Sequence, residues 1–303
     1  MLHRINLNGE PLNLDYTFGC GQIFQWRKVD GWWLGQVENH ATLLKVDGGS
    51  LLIKSDGGLE EPRLRAFLGL DVPQGEISQM RHLDDFSISL LRDYRGLRVL
   101  RQDPWICLVS YMVSASLSIR AIDKIMERIA FHGEELRVEG HQVKSFPSPQ
   151  EFAGMERPLE GYLGRRWDYL KGAANRVNTG AMDFEKLRRS RYEEAWGSLV
   201  TSKEGHIQGV GPKVADCALL FSLDKPEAFP MDRWIMRGLA RHYSWLLPQP
   251  IAAKLGKGGG SLTYKEYAAV SRNLRSYFGE AGGRVQECLF LHMRTATPRR
   301  PSA

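Results

Sequence analysis

The stretch "GVGPKVADCALLFSLDKPEAFPMD", residues 209–232, decides the fold. Gly209 and Gly211 can take backbone angles closed to other residues, so they permit a tight hairpin into a helix that begins near Pro212. Proline suits the first helical position. Such a hairpin points the first N–H groups of the second helix outward, where a phosphate oxygen can take them without any base being read. A nucleotide-binding P-loop competes for the same residues and is rejected. It needs Gly-Lys followed by Ser or Thr, whereas Pro212 precedes the lysine and Val214 follows it; Gly256-Lys257 fails too, because Gly258 follows.

Lys213 stands at the positive end of the helix dipole, where a cation is disfavoured by a few tenths of a kcal/mol up to about 1 kcal/mol. Taken alone, it reads as a solvated lysine near a helix start more readily than as a nucleophile. Asp232 occupies the cap position of the helix "RWIMRGLARHY", and capping alone is enough to account for it.

Around this stretch, 303 residues are about two domains' worth of chain, enough to bury a core without staples. A formal charge of +6 and a pI near 9.1 weakly favour an anionic partner. Cys20, Cys107, Cys217 and Cys288 lie far apart, and no pair has the spacing of a zinc or iron–sulfur ligand set, so free thiols in a reducing compartment are expected. The start "MLHRINLNGE" lacks a signal pattern, and no apolar run approaches the roughly 18 residues that span a bilayer. A soluble, intracellular monomer is expected, with no membrane partner.

From Leu2 to about Lys54 the texture is β-like: "GQIFQWRKV", "GWWLGQV" and "ATLLKV", with hairpin signals at Asp30-Gly31 and Asp47-Gly48-Gly49. Beyond Pro62 the period turns helical, and an amphipathic stretch through Ile77, Leu83, Phe86, Leu90 and Leu91 is expected to pack across the sheet. After Asp103-Pro104 nearly everything reads helical, from "WICLVSYMVSAS" to "YAAVSRNLRSYF". The expected class is α+β: an antiparallel β-sheet domain with packed helices over 1–103, then a mostly α-helical body over 104–303 with a helix-hairpin-helix at about 196–222.

The 209–232 stretch resembles the helix-hairpin-helix, Gly/Pro loop and aspartate of the DNA glycosylase superfamily. More closely, with "CGQIFQW", "LRQDPWICLVSY" and "VQECLF" in the same order, the chain resembles eukaryotic-type 8-oxoguanine DNA glycosylase/AP lyases. The resemblance implies that Lys213 attacks C1′ of the damaged nucleotide and forms a Schiff base, while Asp232 assists proton handling and stabilises positive charge on the sugar. It implies a base pocket of Cys217 and Phe290 stacking on the two faces of the flipped purine, Gln286 on its Watson–Crick edge and the Gly21 carbonyl on N7–H. Apart from the resemblance, Cys217 and Phe290 pass as core residues, Gln286 as a helix-surface residue and Gly21 as a turn.

The chain departs from that family where the duplex is held. Ser116, Leu117 and Ser118 replace consecutive asparagines that fill the gap left by the flipped base. Of two arginines that read the opposite cytosine, Arg166 matches one, while Ala121 takes the place of the other with Arg120 beside it. Arg165 replaces a wedging tyrosine, and Trp234 replaces a histidine that contacts phosphate. Weak preference for cytosine opposite the lesion is therefore expected. With Gly209 and Gly211 these residues form the expected DNA contact set. No cofactor is expected to be required and no iron–sulfur cluster is expected, although the hairpin carbonyls could hold a cation. The expected partner is double-stranded DNA containing 8-oxoguanine, in the cytoplasm or nucleoid of a bacterium or in a nucleus. A glycosylase for another damaged purine and a non-catalytic DNA-binding protein are the alternatives.

Overall fold

The computed structural model describes residues 2–74, 80, 82–114, 117–156, 163–200, 207–258 and 260–296. Five strands, β1 (Leu2–Asn6), β2 (Arg27–Val29), β3 (Trp32–Val37), β4 (His40–Asp47) and β5 (Ser50–Ser55), form one antiparallel sheet in the order β1-β5-β4-β3-β2. The expected turns close two of its hairpins, with positive φ at Asp30-Gly31 and at Gly48-Gly49.

The alternation of β4 sends Leu44 to one face and Leu43 to the other. On the Leu44 face lie α1 (Leu14–Gly19) and α2 (Glu61–Phe67), which bury Leu14, Phe18, Leu64 and Phe67 against Ile5, Leu51 and Ile53. Phe18 stacks on Trp26 at 4.3 Å. Helix α1 interrupts the stretch expected to be β-like, because the Asn13 side chain accepts the Tyr16 N–H and starts a helical turn. Residues 21–26 are likewise not strand: Gly21 and Gln25 have positive φ, and the Gln22 side chain ties the loop to Thr17, Arg98 and Leu100.

On the other face sits an unexpected hairpin, β6 (Glu135–Val138) and β7 (His141–Lys144), inside the stretch read as helical. Its two-residue turn, Glu139-Gly140, has positive φ at both positions, which matches the twist of short strands. Val138 and Val143 cover Leu34, Ala41 and Leu43.

The amphipathic stretch expected across the sheet is also corrected: Ile77 lies outside the described residues, and the helix that forms, α3 (Asp85–Asp93), buries Leu90 and Leu91 in the helical body. The helices over the sheet are α1 and α2. The body continues with α4 (Pro104–Val113), α5 (Ile119–Ala130), α6 (Pro149–Gly154), α7 (Arg165–Asn178), α8 (Phe184–Arg189) and α9 (Tyr192–Val200). It ends with α10 (Pro212–Ser222), α11 (Arg233–His242), α12 (Gln249–Gly256), α13 (Tyr264–Phe278) and α14 (Gly282–Ala296).

Helix α10 runs through the centre, buried from Val214 to Ser222 and packed on α4 and α9. Each fully buried Leu or Phe there is worth about 1.5–3 kcal/mol. Tyr111 of α4 stacks on Phe221 of α10 at 5.5 Å. Helix α14 packs on α3 and α11. Among the described residues, no helix is long and apolar enough to cross a membrane.

Candidate active site

Gly209 has φ +88°, and a Cβ there would lie 2.9 Å from the Tyr169 ring of α7, so both turn and close approach require glycine. Gly211 differs from expectation. It caps α10 with φ −89° and ψ 177°, which any residue adopts, and a Cβ would meet nothing within 4 Å. Gly211 brings no capping side chain to α10, and among the described residues the first N–H groups of that helix stay open beside that empty space. No described residue donates to the carbonyls of Gln208, Gly209 or Val210, whereas that of Ile207 accepts Val210 N–H at 3.0 Å.

Lys213 follows Pro212 and is half-buried. Its ammonium donates to Ser114 Oγ at 3.3 Å and lies 4.6 Å from the centroid of the Tyr111 ring. Ser114 is the C-cap of α4, so the amine meets the negative end of one helix dipole as well as the positive end of its own. Asp232 caps α11 as expected, accepting Ile235 N–H at 2.8 Å. Burial pushes its carboxyl above the usual range, while the Ile235 bond and the Lys213 ammonium hold it down.

A buried link ties these two elements together. Asp216 of α10 accepts from Tyr192 at 2.5 Å and from Tyr267 of α13 at 2.6 Å. The same Tyr267 hydroxyl accepts Met231 N–H at 3.2 Å, one residue before Asp232. Lys213's helix and Asp232's loop therefore share one side chain as a fixed point.

Cys217, one turn beyond Lys213, is buried, and burial pushes its thiol up to about 12 against the pull of the ammonium. It is a neutral, polarisable surface. Phe290 of α14 is half-buried beneath the Arg294 guanidinium at 5.2 Å. Gln286, one turn earlier, is 4% exposed, and its Oε1 has no partner among the described residues. Glu287 beside it is 3% exposed, and its Oε2 likewise has none among them.

Gly21 has φ +99°, and a Cβ would lie 2.8 Å from Ile119 Cδ1. The carbonyls on either side are taken: Cys20 O accepts from Arg294 at 2.6 Å, and Gln22 O from Tyr111 at 2.9 Å and Gln102 at 2.7 Å. No described donor reaches the carbonyl of Gly21 itself.

Lys213, Cys217, Asp232 and the Cys20–Gly21 turn thus surround one region, with Glu287 sensing the charges of Lys213, Asp232 and Arg294. The remaining expected residues lie at other helix starts. Arg120 is exposed in the first turn of α5, Arg165 is exposed and Arg166 half-buried in that of α7, and Trp234 is half-buried in that of α11 beside Arg237 at 5.3 Å. Leu117 packs partly on the core, Ser118 caps α5, and Ser116 lies outside the described residues. Sequence reasoning missed Ser114, Tyr111, Asp216, Tyr267 and Glu287. Asp216 left a trace, as a carboxylate inside the apolar run "VADCALLF", and Glu287 a fainter one in "VQECLF". Among the described residues, no group of three His, Cys, Asp or Glu side chains is disposed to hold a metal.

Residues 4–108 match the family profile described as 8-oxoguanine DNA glycosylase, N-terminal domain. The N-glycosylase/DNA lyase OGG1 of Arabidopsis thaliana is 31% identical over 302 residues, 95% of this chain and 79% of that protein. A probable N-glycosylase/DNA lyase of Methanothermobacter thermautotrophicus is 27% identical over 93% of each chain. The 8-oxoguanine glycosylase/lyase of Clostridium acetobutylicum, solved with double-stranded DNA containing cytosine opposite 8-oxoG, superposes with a TM-score of 0.80 at 25% identity over 98% of both chains.

Proposed function

This chain belongs to the 8-oxoguanine N-glycosylase/DNA lyase family, and from that premise we propose that it is a base-excision repair enzyme that releases 8-oxoguanine from duplex DNA through Lys213. The observation that carries this reading is the convergence of Lys213, Asp232 and Cys217 beside an open helix start. Phosphate takes the free N–H groups of α10, and the flipped base enters between Cys217 and Phe290. The unpartnered Gln286 Oε1 accepts from the Watson–Crick edge. The Gly21 carbonyl accepts the hydrogen on N7 that guanine lacks.

The Lys213 amine, its proton shed, forms a bond to C1′ while the C1′–N9 bond breaks. The electron pair leaves with the base, which takes up a proton. The Asp232 carboxylate faces the positive charge that builds on the sugar. Opening of the sugar ring gives a protonated Schiff base. Loss of a 2′ proton then expels the 3′ phosphate and nicks the strand. The open carbonyls of Gln208, Gly209 and Val210 would hold a cation that meets a DNA phosphate.

Opposite the lesion, Arg166 remains as a reader and Arg120 lies next to Ala121, the place of the second. Leu117 stands at the vacated gap, and Arg165, Gly211 and Trp234 meet the backbone. Wild-type protein should release 8-oxoguanine from a lesion duplex, and Lys213→Gln should lower the rate at least about a thousandfold. A Lys213→Gln enzyme with near wild-type release would remove the lysine from the chemistry.

A further inference from the structure

The wall of α14 carries a carboxyl with no task in the scheme above. Glu287 is buried, and no described partner meets its Oε2. It faces the Cys20 thiol, next to Gly21, and lies among the charges of Lys213, Asp232 and Arg294. Tyr111 and Cys217 also feel its charge. Arg294 does not neutralise it by contact, since its guanidinium is engaged with the Cys20 carbonyl and the Phe290 ring. A carboxyl oxygen buried without a partner is costly, and a group that enters from outside the protein removes the cost.

We propose that Glu287 is a further base-reading residue, whose carboxyl meets the purine edge between the contacts of Gln286 and Gly21 and hydrogen-bonds the O6 oxygen there. The inference rests on the base placement given under the proposed function. Between N1 and N7 a guanine-type purine carries one exocyclic group, the O6 carbonyl. Glu287 follows Gln286 on α14, and its carboxyl lies beside the Cys20 thiol, one residue before Gly21.

O6 only accepts, so the acid form of Glu287 must donate. Burial pushes this carboxyl up to about 7; the Cys20 thiol opposes the rise, Asp232 adds to it, and Arg294 and Lys213 draw it back. The acid form is therefore present at and below neutrality. Ionised, the carboxylate would face O6 lone pair to lone pair, and the contact would turn repulsive. No bond is made or broken in this step.

The test uses the full chain in single turnover on an 8-oxoguanine duplex, with wild type, Glu287→Gln and Glu287→Ala. Base release is normalised to borohydride trapping of a preformed abasic duplex, which has no base for Glu287 to meet. In wild type the ratio should fall about tenfold or more from about pH 6 to about pH 8.5. Glu287→Gln, whose amide donates at every pH, should change by less than about twofold over that span. Glu287→Ala should lower the ratio about tenfold near pH 6, the size of one hydrogen bond. A Glu287→Gln profile parallel to wild type, or a Glu287→Ala ratio equal to wild type, overturns the inference. If Glu287→Ala fails to fold, its abasic trapping disappears and the glutamine variant decides alone. A wild type that traps abasic DNA but releases no 8-oxoguanine overturns the base-excision reading itself.

Discussion

A hydrogen on N7 separates 8-oxoguanine from guanine, and one acceptor placed against it can tell them apart. The Gly21 carbonyl is suited to this because its neighbours' carbonyls are held by Arg294, Tyr111 and Gln102 while it is not. Two acceptors face to face cost about 1–3 kcal/mol, so discrimination against guanine of about tenfold to a hundredfold can come from this atom alone. Gly21→Ala tests the placement. Ile119 Cδ1 is the end of a flexible side chain and can yield, so the strain at φ +99° is the part that stays, on the order of 1–2 kcal/mol of stability. The variant should unfold at lower denaturant and lose most of its preference for 8-oxoguanine over guanine in competition. Unchanged preference in a destabilised variant would mean that the carbonyl does not read the lesion.

At the scale of elements, the link from Asp216 through the Tyr267 hydroxyl to Met231 N–H fixes the start of α10 against the loop that ends in Asp232. Tyr267→Phe keeps the ring and removes both bonds. It should cost about 1–3 kcal/mol of stability and lower the rate constant of base release about tenfold while DNA affinity stays within about twofold. A fall in affinity with an unchanged rate constant would show that the link supports the duplex surface instead. Elements were legible where chemistry is local: Asp103-Pro104, Asp232 and the Gly-Val-Gly-Pro turn each announce a helix start, and each helix begins there. The β6–β7 hairpin was not legible as a strand pair, because four-residue strands carry too little alternation beside an amphipathic α5, and only Glu139-Gly140 marks the turn. Helix α3 read as a cover for the sheet because an apolar face says nothing about which apolar face it meets. In the site, motif residues stood out, whereas Asp216 and Tyr267 lie 51 residues apart and only the fold makes them partners.

For the whole molecule, the sheet and the helical body meet at the Gly21 loop, whose Gln22 side chain bonds both Thr17 of α1 and the Arg98 carbonyl. The net charge of +6 draws the duplex without choosing a base, so choice on the opposite strand falls to few side chains. With Arg166 present and Ala121 in place of a second arginine, excision rates opposite each of the four bases should agree within about fivefold, since the one remaining contact is worth about 1 kcal/mol. Strict dependence on cytosine would require a reader other than these.

The most direct test of the account is the identity of the residue joined to DNA. Wild-type protein is incubated with an 8-oxoguanine duplex and borohydride, and the reduced adduct is digested and mapped by mass. The account predicts a sugar remnant on the peptide carrying Lys213 and on no other. An adduct on another amine, or base release with no adduct, would contradict it.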